Sequence, residues 1–170
     1  EHTVTVSGSG QHSTTEKKIG ATGIDVLATN EKISAPIHSD FDWVGDFTVE
    51  CWAWRHPTQA GRSRFFNSAT GSGRENIDLD YNGTDLRLHA SSDGTSRDIV
   101  SVSTSSHGIT NSTWFHLAFV RNGNNFNLYI NGVSKLSATS SGVIETGGGI
   151  TFGGFDNYTA SANNLAGYFD

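Results

Sequence analysis

The chain has 170 residues, enough for one well-filled core, and a formal net charge of −6, which argues against nucleic acid as a partner because phosphate binding wants a clustered basic face. Twenty Gly, two Pro, no Met and heavy use of Ser, Thr and Asn leave almost no segment with a 3.6-residue apolar period, so helix is nearly excluded and the class is all-β. No apolar run approaches the roughly 18 residues of a membrane span, and Glu1-His2-Thr3-Val4 has neither a basic start nor an apolar stretch, so no membrane insertion is expected.

Alternation and turn signals place strands over 3–7, 24–27, 32–34, 47–55, 64–68, 77–81, 85–90, 99–103, 115–121, 125–131, 133–138 and 150–153. The pair Lys17-Lys18 and the group Arg55, His56, Arg62 and Arg64 read as solvated loops. In 47–55, Phe47, Val49, Cys51 and Ala53 form the core set against Thr48, Glu50, Trp52 and Trp54. Cys51 is the only cysteine, so the chain has no disulfide framework, and its place in the core set makes it a buried small hydrophobe. Trp52 reads as structural, whereas Trp54 is a candidate sugar platform: a pyranose offers an apolar C–H face and a rim of hydroxyls that wants amides, carboxylates or Arg nearby.

Further along, Asp78 and Asp80 share one strand face, Arg87 and His89 share one on the returning strand, and Tyr81 lies by the Asn82-Gly83 turn. With Trp54 these are the candidate carbohydrate-binding residues, expected to line one concave sheet; the alternative is ordinary solvent-facing polar positions. The histidines show no H-x-H or H-x-x-x-H spacing, so no transition-metal site is expected. The strands 115–121 and 125–131 form a hairpin, and Asn131-Gly132 suits a tight turn with positive φ that starts a third strand at Val133. Sequons at Asn82, Asn111 and Asn157 are about what such a composition gives by chance, so they do not demonstrate a secreted glycoprotein.

Three stretches carry a family signature. Trp114, His116, Ala118, Arg121, Leu128, Tyr129, Asn131 and Gly132 follow the pattern W-x-H-hydrophobic-A, an Arg-turn, then L-Y-hydrophobic-N-G. Gly45-Asp46-Phe47-Thr48-Val49-Glu50-Cys51-Trp52 follows G-D-F-T-hydrophobic-E-x-W, and Gly167-Tyr168-Phe169-Asp170 a closing G-x-hydrophobic-D. Over roughly 18–170 the chain resembles laminin G-like modules of the concanavalin A-like lectin/glucanase jelly-roll superfamily, similar to those in phage tail, virion and bacterial surface proteins. The resemblance implies a two-sheet antiparallel jelly-roll β-sandwich forming a single module over 1–170. At His116 it implies a hydrogen-bonded structural histidine beside Trp114. The missing Met, and the further strand such modules usually add after the closing Asp, imply one module of a longer polypeptide.

Many such modules bind one calcium, an ion that wants six to eight oxygens. The Asp-Gly pair that related modules carry after the early strand is replaced here by Leu27-Ala28, leaving Asp170 and Asp156 as metal candidates. Glucanases of the group place catalytic carboxylates as E-x-D-x-E. In Glu75-Asn76-Ile77-Asp78-Leu79-Asp80, strand alternation turns Glu75 away from Asp78 and Asp80, and no second Glu has a usable spacing. No G-x-S-x-G elbow exists either, so the chain is not expected to be an enzyme. The leading expectation is a non-catalytic binding or adhesion module that recognises a glycan or cell-surface polysaccharide from an extracellular or virion surface. The alternative is a structural or decoration module of a viral fibre or capsid that contacts sister subunits; a glycoside hydrolase or lyase relative comes third.

Overall fold

A computed structural model describes residues 2–28, 31–59, 61–71, 75–154 and 164–170. Its strands in chain order are β1 (Thr5–Ser7), β2 (His12–Ser13), β3 (Gly23–Val26), β4 (Lys32–Ala35), β5 (Phe47–Arg55), β6 (Ser63–Ala69) and β7 (Ile77–Tyr81). They continue with β8 (Leu86–Ala90), β9 (Val100–Thr104), β10 (Trp114–Asn122), β11 (Asn125–Ile130), β12 (Val133–Thr139), β13 (Gly149–Phe152) and β14 (Gly167–Phe169). Among the described residues the one helical element is a 3-10 turn, Ser39–Phe41. Two seven-stranded sheets result: sheet A in the order β1-β4-β13-β6-β7-β8-β9, sheet B in the order β12-β11-β10-β5-β14-β3-β2. The expected all-β, two-sheet antiparallel sandwich is the fold. Strands β2 and β14, two and three residues long, are additional to the expected set, being too short for alternation to register.

The core lies between the sheets, where alternate residues of both converge. Phe65, Phe66, Phe115, Phe119 and Phe126 are fully buried, with Leu79, Leu88, Leu117 and Leu128 between them. Burying each such side chain stabilises by about 1.5–3 kcal/mol. The neighbours Phe65 and Phe66 both reach the core because the β6–β7 register shifts between Arg64 and Phe66. That bulge breaks the alternation: Arg64 and Asn67, opposite Asp80 and Asp78, stay on the outer face. Trp43 packs edge-on against Phe66 at 5.6 Å and donates its indole N–H to Ser68 Oγ at 2.8 Å.

Polar motif residues hold the turns. Asn131 and Gly132 have φ of 52° and 76°, the left-handed conformations expected for the β11–β12 turn. Asn131 also extends the ladder beyond β11. Its Oδ1 accepts the His116 N–H and its own N–H donates to the His116 carbonyl, both at 2.9 Å. Asp46 Oδ1 accepts the Gly123 N–H at 2.6 Å, clasping the β10–β11 turn, and the buried Arg121 donates to the carbonyls of Gly123 and Gly142, each at 3.1 Å. Cys51 is half-buried rather than fully buried; burial, and secondarily the charge of Glu50, push its thiol up to about 12. It stays protonated at neutral pH.

Candidate binding faces

The outer face of sheet A gathers four of the residues singled out by sequence. The β7–β8 register pairs Asp78 with His89 and Asp80 with Arg87, and inward Ile77, Leu79 and Leu88 leave these four on the outside. Asp78 and Asp80 are nevertheless 0% exposed. Asp78 Oδ2 accepts from Arg62 at 2.7 Å and from Arg64 Nη2 at 3.0 Å, while its Oδ1 accepts from Arg64 Nε. Asp80 Oδ1 accepts Arg87 Nε at 2.7 Å, and its Oδ2 accepts Arg62 Nε at 2.6 Å and Arg87 Nη2 at 2.9 Å. Each carboxylate oxygen is therefore engaged by a guanidinium. The two aspartates organise arginines instead of offering themselves to a ligand.

Two expectations are corrected here. Arg55 and Arg64 are buried, not solvated, because each meets a full set of acceptors; Arg55 donates to Ser63 Oγ and the Gln59 carbonyl, both at 2.8 Å, and to Asn111 Oδ1. Glu75 does not point away from Asp78. It precedes β7, so strand alternation does not apply, and its Oε1 lies 2.9 Å from Arg64 Nη2 while Oε2 accepts from Arg97 at 2.9 Å. Burial lowers the Arg64 pKa, but hydrogen bonding and charge from Asp78, with Glu75 and Asp80 adding, raise it overall. Arg87 is raised mainly by its hydrogen bonds to Asp80. Strands 64–68 and 77–81, read as a hairpin, put the spacing Arg62-x-Arg64 against Asp78-x-Asp80, and that was the available signal.

His89 is buried beside this network, with Nδ1 3.3 Å from Ser101 Oγ and no hydrogen-bond partner at Nε2. Burial first, and then the charge of Arg97, lowers its pKa. Tyr81 lies at the rim of the sheet: its hydroxyl donates to the Gly83 carbonyl at 2.7 Å, the Arg55 guanidinium stacks 4.9 Å above its ring, and His107 sits edge-on at 4.8 Å.

Trp54 belongs to the other sheet, so the expected single concave face carrying Trp54 with Asp78 and Arg87 does not exist. Alternation tells which residues of one strand share a face, not which sheet the strand joins. On the outside of sheet B, Trp54 stands between Trp114 of β10 and Tyr168 of β14. With Tyr168 at 5.2 Å and His56 at 5.9 Å it is only 8% exposed. The next cross-strand row is Trp52 with His116, rings 5.2 Å apart. The row after it is Glu50, Ala118 and Tyr129. Trp52, Trp114, His116 and Tyr129 are half-buried; Glu50 is exposed, 3.4 Å from His116 Nε2, and Lys18 Nζ lies 4.5 Å above the Trp52 ring. The face is aromatic, and around Trp52 it carries the Glu50 carboxylate, the His116 imidazole and the Lys18 ammonium.

Of the calcium candidates, Asp170 accepts the backbone N–H groups of Lys18 and Ile19 on Oδ2 at 2.9 and 2.8 Å. Those neighbours are amide donors, not the oxygens that calcium requires. Asp156 lies outside the described residues.

Two packed antiparallel sheets with polar and aromatic outer faces define a jelly-roll sandwich. The laminin G model described as the concanavalin A-like lectin/glucanases superfamily matches residues 27–170, and the chain belongs to that superfamily. Among solved structures it is similar to the botulinum neurotoxin serotype D ligand-binding domain in complex with N-acetylneuraminic acid, with a TM-score of 0.69 and 18% identity over 99% of this chain and 42% of that one. It is also similar to the receptor-binding domain of botulinum neurotoxin D, at 0.69 and 16% over 99% and 43%. A third is the binding domain of botulinum neurotoxin DC in complex with rat synaptotagmin II, at 0.68 and 14% over 99% and 42%. The chain spans less than half the length of these proteins, and at such identities the likeness shows the fold. No curated protein matches.

Proposed function

We propose that the chain is a non-catalytic glycan-binding module, acting from an extracellular or virion surface, whose ligand lies on the outer face of sheet B. One observation carries the reading: half-exposed Trp52, Trp114 and Tyr129 stand in adjacent cross-strand rows beside Glu50, His116 and Lys18. Such a surface offers ring faces for sugar C–H groups and charged edges for hydroxyls. Lys18 sits over Trp52 through an exposed cation–π contact of only about 0.5–1 kcal/mol, which an incoming ring can displace. A solved structure of the same fold holds N-acetylneuraminic acid, which makes acidic sugars the first class to test. The arginine-bound carboxylates of sheet A support the absence of catalysis, since a glycosidase needs one carboxyl able to give up a proton at the scissile bond.

The test is a glycan-array screen of the purified chain, run in calcium and again in chelator. Specific hits that fall at least tenfold in Trp52→Ala, a loss of about 1.4 kcal/mol, at unchanged thermal stability, are expected. Loss of those hits in chelator gives calcium a part in recognition. Folded protein that binds no glycan, or hits indifferent to Trp52→Ala, overturns the assignment. The rings would then suit burial against sister subunits in a structural assembly, which light scattering would reveal as an oligomer.

A further inference from the structure

A cluster of nitrogen and oxygen donors lies apart from both faces, where the segment before β1 meets the turn before β5. His2 Nε2 is 2.8 Å from Asp40 Oδ2, and His38 Nδ1 is 3.4 Å from Asp40 Oδ1. One ligand atom from each of the three residues lies within 4.8 Å of the other two. The rings of His2 and His38 meet edge to face at 4.5 Å, and Phe41 backs His2 at 4.8 Å.

The fold assembles this group from distant sequence. Strand β1 pairs with β4 as Thr5 with Ser34 and Ser7 with Lys32; continued outward, the same register sets position 2 opposite Ile37, beside His38. His38 in turn caps the 3-10 turn by accepting the Asp40 N–H on Nδ1 at 3.1 Å, and that curl brings the carboxylate of Asp40 back to both imidazoles. No local spacing announces it, since His2 and Asp40 are 38 residues apart.

We infer that His2, His38 and Asp40 form a binding site for a divalent transition-metal ion of the zinc class. Two imidazole nitrogens and one carboxylate oxygen make a borderline-soft set that suits Zn²⁺, Co²⁺, Ni²⁺ or Cu²⁺; Ca²⁺ and Mg²⁺ demand oxygen shells. Tetrahedral zinc with bonds near 2.0–2.1 Å sets its donors roughly 3.3 Å apart, and the separations here bracket that value. The side chains of His38 and Asp40 are 49% and 63% exposed, so they can close on an ion without disturbing a strand. Three protein ligands leave a fourth position to water or to an incoming donor. The bound ion ties the segment ahead of edge strand β1 to the β4–β5 connection, and it stabilises the folded state by mass action.

The experiment uses the whole chain, stripped with chelator and titrated with Co²⁺ and then Zn²⁺. One Co²⁺ per chain with visible absorption of a low-coordinate site, displaced by Zn²⁺, is expected, together with a melting temperature that rises with Zn²⁺ concentration. His2→Ala, His38→Ala and Asp40→Asn each weaken binding more than about tenfold, whereas His12→Ala, outside the cluster, leaves it unchanged. The metal-free melting temperature of each variant reports separately on folding. Absence of both the absorption and the stabilisation overturns the proposal, as does undiminished binding in the His2→Ala, His38→Ala double variant, which places the ion on other histidines.

Discussion

Asp78 illustrates how a residue with the look of a ligand serves the fold. Its carboxylate is fully enclosed between Arg62 and Arg64, and Arg64 has no compensating access to water. Removing one member of a buried pair strands the other, which costs about 3–5 kcal/mol. Asp78→Ala is therefore expected to lower unfolding free energy by that amount in a urea titration. Arg87→Gln removes the donor to buried Asp80 Oδ1 but leaves Arg62 on Oδ2, so it costs less, about 1–3 kcal/mol. Equal, small losses for the two would show that the network is solvated and the aspartate available to ligands.

Strand β14 makes the comparable case for an element. It enters sheet B between β5 and β3, and a Cβ placed on Gly167 would collide with the Trp54 carbonyl oxygen. No side chain can be accommodated against that backbone atom, so Gly167→Ala is expected to pry the strand away and cost at least about 3 kcal/mol. Because Tyr168 packs on Trp54, tryptophan fluorescence should change with it; an unaltered spectrum and melting temperature would mean that β14 contributes little. The closing Gly-x-hydrophobic-Asp of 167–170 is legible as a motif, but the three-residue strand within it is too short to show a period. The long alternating strands β5, β10 and β11 and the Asn131-Gly132 turn could be read directly, since each shows its period over many residues. Pairings remote in sequence could not: nothing in 47–55 indicates that Trp54 and Asp78 face away from each other across the sandwich, or that His2 reaches Asp40.

For the whole molecule, acid should erode stability through His89. Its native pKa is depressed by burial and by Arg97, with Asp78 and Asp80 pulling only partly the other way. The unfolded chain thus takes up that proton first. The contribution is complete above the ordinary imidazole value of 6.5 and is lost as pH falls below it toward the lower native value. The melting temperature should drop between about pH 7 and 5, less steeply in His89→Gln; an identical slope in the variant would assign the transition to other groups.

The placement of β14 also bears on how the protein is made. Until Gly167–Phe169 has left the ribosome, sheet B consists of two separate pieces, β2-β3 and β5-β10-β11-β12, whose facing edges present unpaired backbone donors and acceptors. A nascent chain with two open strand edges is a template for pairing with its neighbours on a polysome. Folding of sheet B is therefore complete only once β14 has paired with both pieces and closed those edges.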